Sequence, residues 1–179
     1  MTPVTEFMQI SLTKTRKWKT VGTVFKTLTA SAEFRGALKA IGDAEHFRTT
    51  SVLFRAGDEN MGIFLVCRGR VCLRVPHAPE LDRVFLAGSV LGLPSTFTGN
   101  PYSLTAAAVA DSDVVQIPRK DFLDLMSTRP ELCREATQLL SREVEFILSA
   151  LRKRHHAMPF KLKSDNGLPS AAEPRKNCR

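Results

Sequence analysis

The sequence predicts a mainly β domain with flanking helices (α+β), a small sandwich or roll finished by a long C-terminal helix. Three observations carry that prediction. Seven short β-type runs lie between residues 46 and 117, turn residues stand at their joins, and a regular helical repeat follows Pro130. A chain of 179 residues with 43% hydrophobic composition has the material for one buried core.

The first 30 residues mix Thr and Lys with scattered apolar groups, such as Phe7, Trp18 and Phe25, without a clean period. They read as a basic leader, partly ordered. Ser31 is a good helix cap, Phe34, Ala37, Leu38 and Ile41 recur at helical spacing, and Gly42 can close the helix. The β-type runs are 46–48, 52–54, 63–67, 70–75, 83–86, 104–109 and 114–117. Between them lie Ala56-Gly57-Asp58-Glu59, Arg68-Gly69, Pro76-His77-Ala78-Pro79 and Gly99-Asn100-Pro101, all of them turn chemistry.

Pro118 stands where a helix can begin, and Pro130 starts a second one after Thr128-Arg129. In that second helix Thr137, Leu140, Val144, Ile147 and Leu151 repeat at intervals of three, four, three and four, the seam of a two-stranded coiled coil. Leu132, Ala136, Leu139 and Phe146 form a neighbouring stripe. One stripe can face the roll while the other stays free for a second copy, so a homodimer is expected. A single wide face buried within one chain is the alternative.

Net charge is +8 and is unevenly spread: +5 over residues 1–40, −3 over 41–151 and +6 over 152–179. The basic ends could touch nucleic acid non-specifically, or simply be solvated. Residues 156–179, with Pro159, Pro169 and Pro174 among polar and basic groups, read as a disordered tail. There is no apolar run long enough to span a membrane and no signal-peptide core, which gives the expectation of a cytoplasmic protein.

Cys67, Cys72, Cys133 and Cys178 lack the paired spacing of a zinc site, and His77 beside Cys67 or Cys72 sits in a turn, so no metal is expected. His155 and His156 are adjacent near a helix end, and no carboxylate pair or Ser/His/Asp set stands out. The chain does not read as an enzyme, and no cofactor is expected.

Two stretches carry a family resemblance. Phe54-Arg55-Ala56-Gly57-Asp58 and then Phe64-Leu65-Val66-Cys67-Arg68-Gly69-Arg70-Val71 follow the patterns F-x-x-G-D/E and Y/F-x-V-x-x-G-x-V. Together with Ala110–Phe122 and Arg129-Pro130-Glu131-Leu132, they resemble the cyclic-nucleotide-binding domain of CRP/FNR-type bacterial regulators, over roughly residues 31–155. The resemblance implies a double-stranded β-helix, or jelly roll, with a long dimerisation helix at about 130–155. Full members of that family continue into a winged helix-turn-helix of roughly 60–80 residues. Only 25 residues follow Arg154, which gives the expectation of a regulator without a DNA-reading domain.

The family's phosphate-binding cassette has the form G-E-L/I-G/A-x-x, a loop, then R-S/T-A, its Glu meeting the ribose and its Arg the phosphate. Here residues 88–106 keep the frame without the charges: Leu93 falls where the Glu is expected and Tyr102 where the Arg is expected, while Ser103 keeps the hydroxyl. A guanidinium gives a phosphate two charge-assisted bonds, whereas a phenol offers one neutral donor. Pro94 also withdraws a backbone N–H. Ile147 and Leu148 stand where nucleotide-binding relatives place the hydroxyls that reach the purine.

The expected function is therefore a stand-alone regulatory or sensor domain, dimeric, with a degenerate cassette that is not a standard cyclic-AMP site. Its candidate pocket is Leu93, Ser95, Thr96, Tyr102, Ser103 and Thr105, open to an unidentified neutral small molecule. Arg74 or Arg83 could replace the missing cation. A shortened, DNA-associated transcription regulator and a ligand-free protein-interaction module are the alternatives. Hydroxyl-rich loops often satisfy their own backbone, which would leave the pocket filled.

Overall fold

The computed structural model describes residues 29–76 and 78–157. Helix α1 (Ala32–Ile41) is capped by the Ser31 hydroxyl, which accepts the Phe34 N–H at 3.0 Å, and it buries Phe34 and Leu38. Strands β1 (Asp43–Phe47), β2 (Val52–Phe54) and β3 (Gly62–Arg74) come next. After a 3₁₀ turn at Pro79–Leu81 come β4 (Arg83–Leu86), β5 (Val90–Leu91), a short helix α2 (Leu93–Thr98) and β6 (Thr105–Pro118). Helices α3 (Arg119–Thr128) and α4 (Pro130–Ala157) complete the described chain.

All pairings are antiparallel, in the order β1-β6-β3-β4, with β2 also on β6 and β5 also on β3. This is the β-roll with flanking helices that the sequence predicts. Two apolar clusters fill it. The outer one joins Phe34 and Leu38 of α1 to Ile63 and Leu65 of β3, Phe122 of α3, and Leu132, Ala136 and Leu139 of α4. The inner one lies within the roll and gathers Phe54, Phe64, Val66, Val71, Leu73, Phe85 and Tyr102.

Alternation along β3 feeds both clusters. Ile63 and Leu65 turn outward to the helices while Phe64 and Val66 turn inward, as the two-residue period of a strand requires. Farther on the inward residues are Val71 and Leu73, of the opposite parity. The register against β6 shifts between Val66 and Val71, and each extra residue swaps the two faces for the remainder of the strand.

Those shifts correct the strand reading. Runs 63–67 and 70–75 were expected as separate strands, as were 104–109 and 114–117, yet they are the two halves of β3 and of β6. Gly69 makes a bulge rather than a chain reversal, at φ +86°, and a Cβ there would collide with the Ser112 hydroxyl and the Asp111 carbonyl oxygen. Ser112 closes the gap: its hydroxyl oxygen accepts the Arg70 N–H at 3.0 Å and lies 2.7 Å from the Ala110 carbonyl oxygen. Pro118 ends β6 and stands just outside α3, and α2 falls in a segment read from sequence as loop.

Ala30, at the end of the expected leader, is buried, and its N–H donates to the Gly88 carbonyl at 2.9 Å. The disordered tail is expected from residue 156, but His156 and Ala157 belong to α4; the leader up to residue 28, His77 and the rest of the tail from 158 lie outside the described residues. Among the described residues no helix is long and apolar enough to cross a membrane.

Candidate functional site

The cassette runs from β5 through α2 to the start of β6. Gly92 enters α2 at φ +87°, where a Cβ would press on the Gly62 carbonyl oxygen and on the Tyr102 ring. Glycine here lets that ring come in. Tyr102 is 3% exposed, and its ring stacks on Phe54 with centroids 4.0 Å apart and planes inclined by 20°. Phe64 lies 6.4 Å away at 53°. The phenol donates to the Gly62 carbonyl at 2.7 Å and accepts the Gly62 N–H at 3.1 Å.

The tyrosine backbone is pinned as well. Its N–H donates to the Asp58 carbonyl and its carbonyl accepts the Gly57 N–H, tying the cassette to the 55–58 turn. Burial pushes the phenol pKa above its usual 10.0.

The other expected pocket residues divide. Leu93, Ser95 and Thr96 are buried, Thr105 is half-buried and Ser103 is exposed. The hydroxyls turn to nearby groups: Ser95 to the Pro101 carbonyl at 3.3 Å, Thr96 to the Asn60 side-chain oxygen at 3.3 Å, and Thr105 accepts the Ala56 N–H at 3.0 Å. Arg83 is engaged elsewhere, in an ion pair with Glu143 at 2.6 Å. Phe54, Phe64 and Gly62, which hold Tyr102, were not among the expected site residues. Their signal was the aromatic pair at inward positions beside a tight glycine turn.

A family model for the cyclic nucleotide-binding domain matches residues 44–129, from β1 to the residue after α3. Over those residues the chain is similar to that family. The catabolite activator protein of Thermus thermophilus superposes on it with a TM-score of 0.60 at 22% identity, over 70% of this chain and 60% of that one. The c-di-GMP-responsive global regulator CLP of Xanthomonas campestris gives 0.58 at 17%, over 70% and 64%. A transcriptional regulator of Thermotoga maritima gives 0.57 at 17%, over 65% and 94%. At these identities the likeness is one of fold, and the chain spans less than two thirds of the first two proteins. No curated protein matches the sequence.

The dimer-helix candidates lie on α4. Leu132, Ala136 and Leu139 pack on the roll. Val144, Ile147, Leu148 and Leu151 are 47%, 37%, 46% and 41% exposed, with Thr137 exposed and Leu140 half-buried at the start of the same stripe. A shallow groove of ≈550 Å³ opens along this helix, lined by Cys133, Arg134, Thr137, Gln138, Ser141 and Arg142.

Proposed function

We propose that this domain is a regulatory dimer module whose nucleotide pocket is filled from within, so that it does not take cyclic AMP in the family's manner. One observation carries the reading: the Tyr102 ring lies flat on Phe54 inside the roll, with its hydroxyl spent on both backbone groups of Gly62. An entering phosphate would meet a neutral phenol already committed and Leu93 in place of an acid, and a buried anion without a cation is costly. The turn of hydroxyls toward local backbone and side-chain groups supports a closed cassette rather than a sensor for a neutral metabolite.

The dimer rests on the free stripe of α4. Four large apolar side chains stand in water on a helix that already satisfies the roll with its other face, and the three–four spacing suits a second copy of the same helix. Sedimentation of the Val144→Glu and Ile147→Glu variants tests it, and an unchanged mass relative to wild type refutes it.

Thermal-shift measurements test the closed pocket, because a ligand bound only by the native state raises its stability. The panel should hold cyclic AMP, cyclic GMP and c-di-GMP, since solved relatives include a c-di-GMP-responsive regulator and a protein of a cyclic-GMP-dependent signalling pathway. No shift is expected. A saturable shift of the wild-type chain with cyclic AMP would overturn the proposal.

A further inference from the structure

Helix α4 is fastened to the roll in two different ways along its length. From Leu132 to Leu139 the contact is apolar, through side chains at most 9% exposed. One turn further on it becomes polar. Arg83, the first residue of β4, donates from Nη2 to Glu143 Oε1 at 2.6 Å, with the two side chains only 11% and 17% exposed. Its guanidinium also lies between two rings, Cζ standing 5.2 Å from the centroid of Phe85 and 4.8 Å from that of Phe146. Beyond this point every described side chain from Ile147 to Arg152 is exposed.

An ion pair in open water adds little, but this one is largely withdrawn from solvent, and a planar guanidinium between aromatic faces has a defined place. Glu143 and Phe146 each precede a residue of the free stripe, Val144 and Ile147, by one position. One position is a turn of about 100° around the helix. Holding Glu143 and Phe146 against β4 therefore fixes the direction in which Val144 and Ile147 point.

We propose that Arg83 is a latch that controls self-association from outside the interface, by presenting the α4 stripe in the orientation a second copy needs. The latch rests on the proposed dimer. Phe85, which stacks on the latch, belongs to the inner cluster that contains Tyr102. The latch is thus the joint through which a change inside the roll reaches the dimer helix.

The test uses the full chain. Arg83→Met keeps the apolar stem between the rings and removes the charge, and Glu143→Gln is nearly isosteric and leaves the fold intact. Each should weaken the dimer constant measured by sedimentation about tenfold, because the stripe is no longer preorganised. Hydrogen exchange is read in a Val144→Glu background, where association is removed; there each latch variant should speed exchange of amides 143–149 about tenfold. The double variant should be no weaker than either single one, since both break the same joint.

Dimer constants within about twofold of wild type, or single effects that simply add, overturn the proposal. A wild-type chain that stays monomeric overturns the dimer reading and the latch's control of association together. Exchange at 143–149 then separates the two failures: faster exchange in the latch variants places the fault in the stripe, and unchanged exchange places it in the latch as well.

Discussion

Replacing Tyr102 with Phe removes one oxygen from the interior and leaves the stacked ring in place. That oxygen makes two hydrogen bonds to Gly62, at 2.7 and 3.1 Å, inside a site 3% exposed. Each neutral bond contributes about 1 kcal/mol net, and stranding a buried backbone donor and acceptor adds to the loss. Opposite Gly62 in β6 stands Pro118, which has no N–H with which to take over. The expected loss is about 2–3 kcal/mol, seen in urea unfolding as a midpoint lower by about 1 M with an unchanged slope. A loss under about 0.5 kcal/mol would refute the claim that the phenol is a structural plug.

The same residue gives a second readout, because it is the only tyrosine in the chain. Its folded pKa lies above the usual 10.0, so on raising the pH the unfolded chain ionises first. The contribution is whole below 10.0 and is lost as pH climbs through the folded value. Phenolate absorbance should therefore rise together with unfolding, and Tyr102→Phe should lack that component of the alkaline transition. A native-state phenolate midpoint at 10.0 would contradict the burial.

Other outcomes concern single sites. Ser89 is 1% exposed and its hydroxyl has no hydrogen-bond partner among the described residues, so Ser89→Ala should leave thermal stability unchanged or raise it by up to about 1 kcal/mol. Thr50 holds φ +76°, a strained place for a β-branched residue, and Thr50→Asn should stabilise by about 0.5–1 kcal/mol in denaturant titrations. Asp111 is held below its usual 3.8 by the Thr49 N–H and hydroxyl, and Asp113 below the same value by His46 and then Arg68. Depressed carboxylates contribute above the unfolded value and lose that contribution as pH falls through the folded one. The melting temperature should therefore drop between about pH 5 and pH 2, with a shallower slope in Asp111→Asn.

Much of this domain is legible in its residues because local chemistry and tertiary packing agree. Ser31 caps α1 as its position suggests, and the two stripes of α4 take different surroundings as their spacing suggests. The misreadings are of one kind. Arg68-Gly69 has the composition of a chain reversal, yet its positive φ serves a bulge, because Ser112 on the neighbouring strand satisfies the backbone that a turn would have satisfied for itself. The cassette reading located Tyr102, but not the fact that Phe54 and Gly62 hold it. A partner 40 residues away along the chain leaves no mark within the cassette itself, only the aromatic pair beside the distant glycine turn. Arg83, considered as a substitute cation, is claimed by Glu143 from α4, which only the fold reveals.

The two apolar clusters share their walls. Phe64 and Leu65 are neighbours in β3 that look in opposite directions, and Val114 and Val115 do the same in β6. Neither half of the interior can loosen while the other keeps its shape, since each strand residue that shifts on one side drags its neighbour on the other. The domain should therefore melt as one cooperative unit, with identical transitions whether followed at Tyr102 in the inner cluster or at the helices over the outer one. Any remodelling of the roll must also be tolerated by the helices outside it, which ties the interior to the surface the protein shows its neighbours.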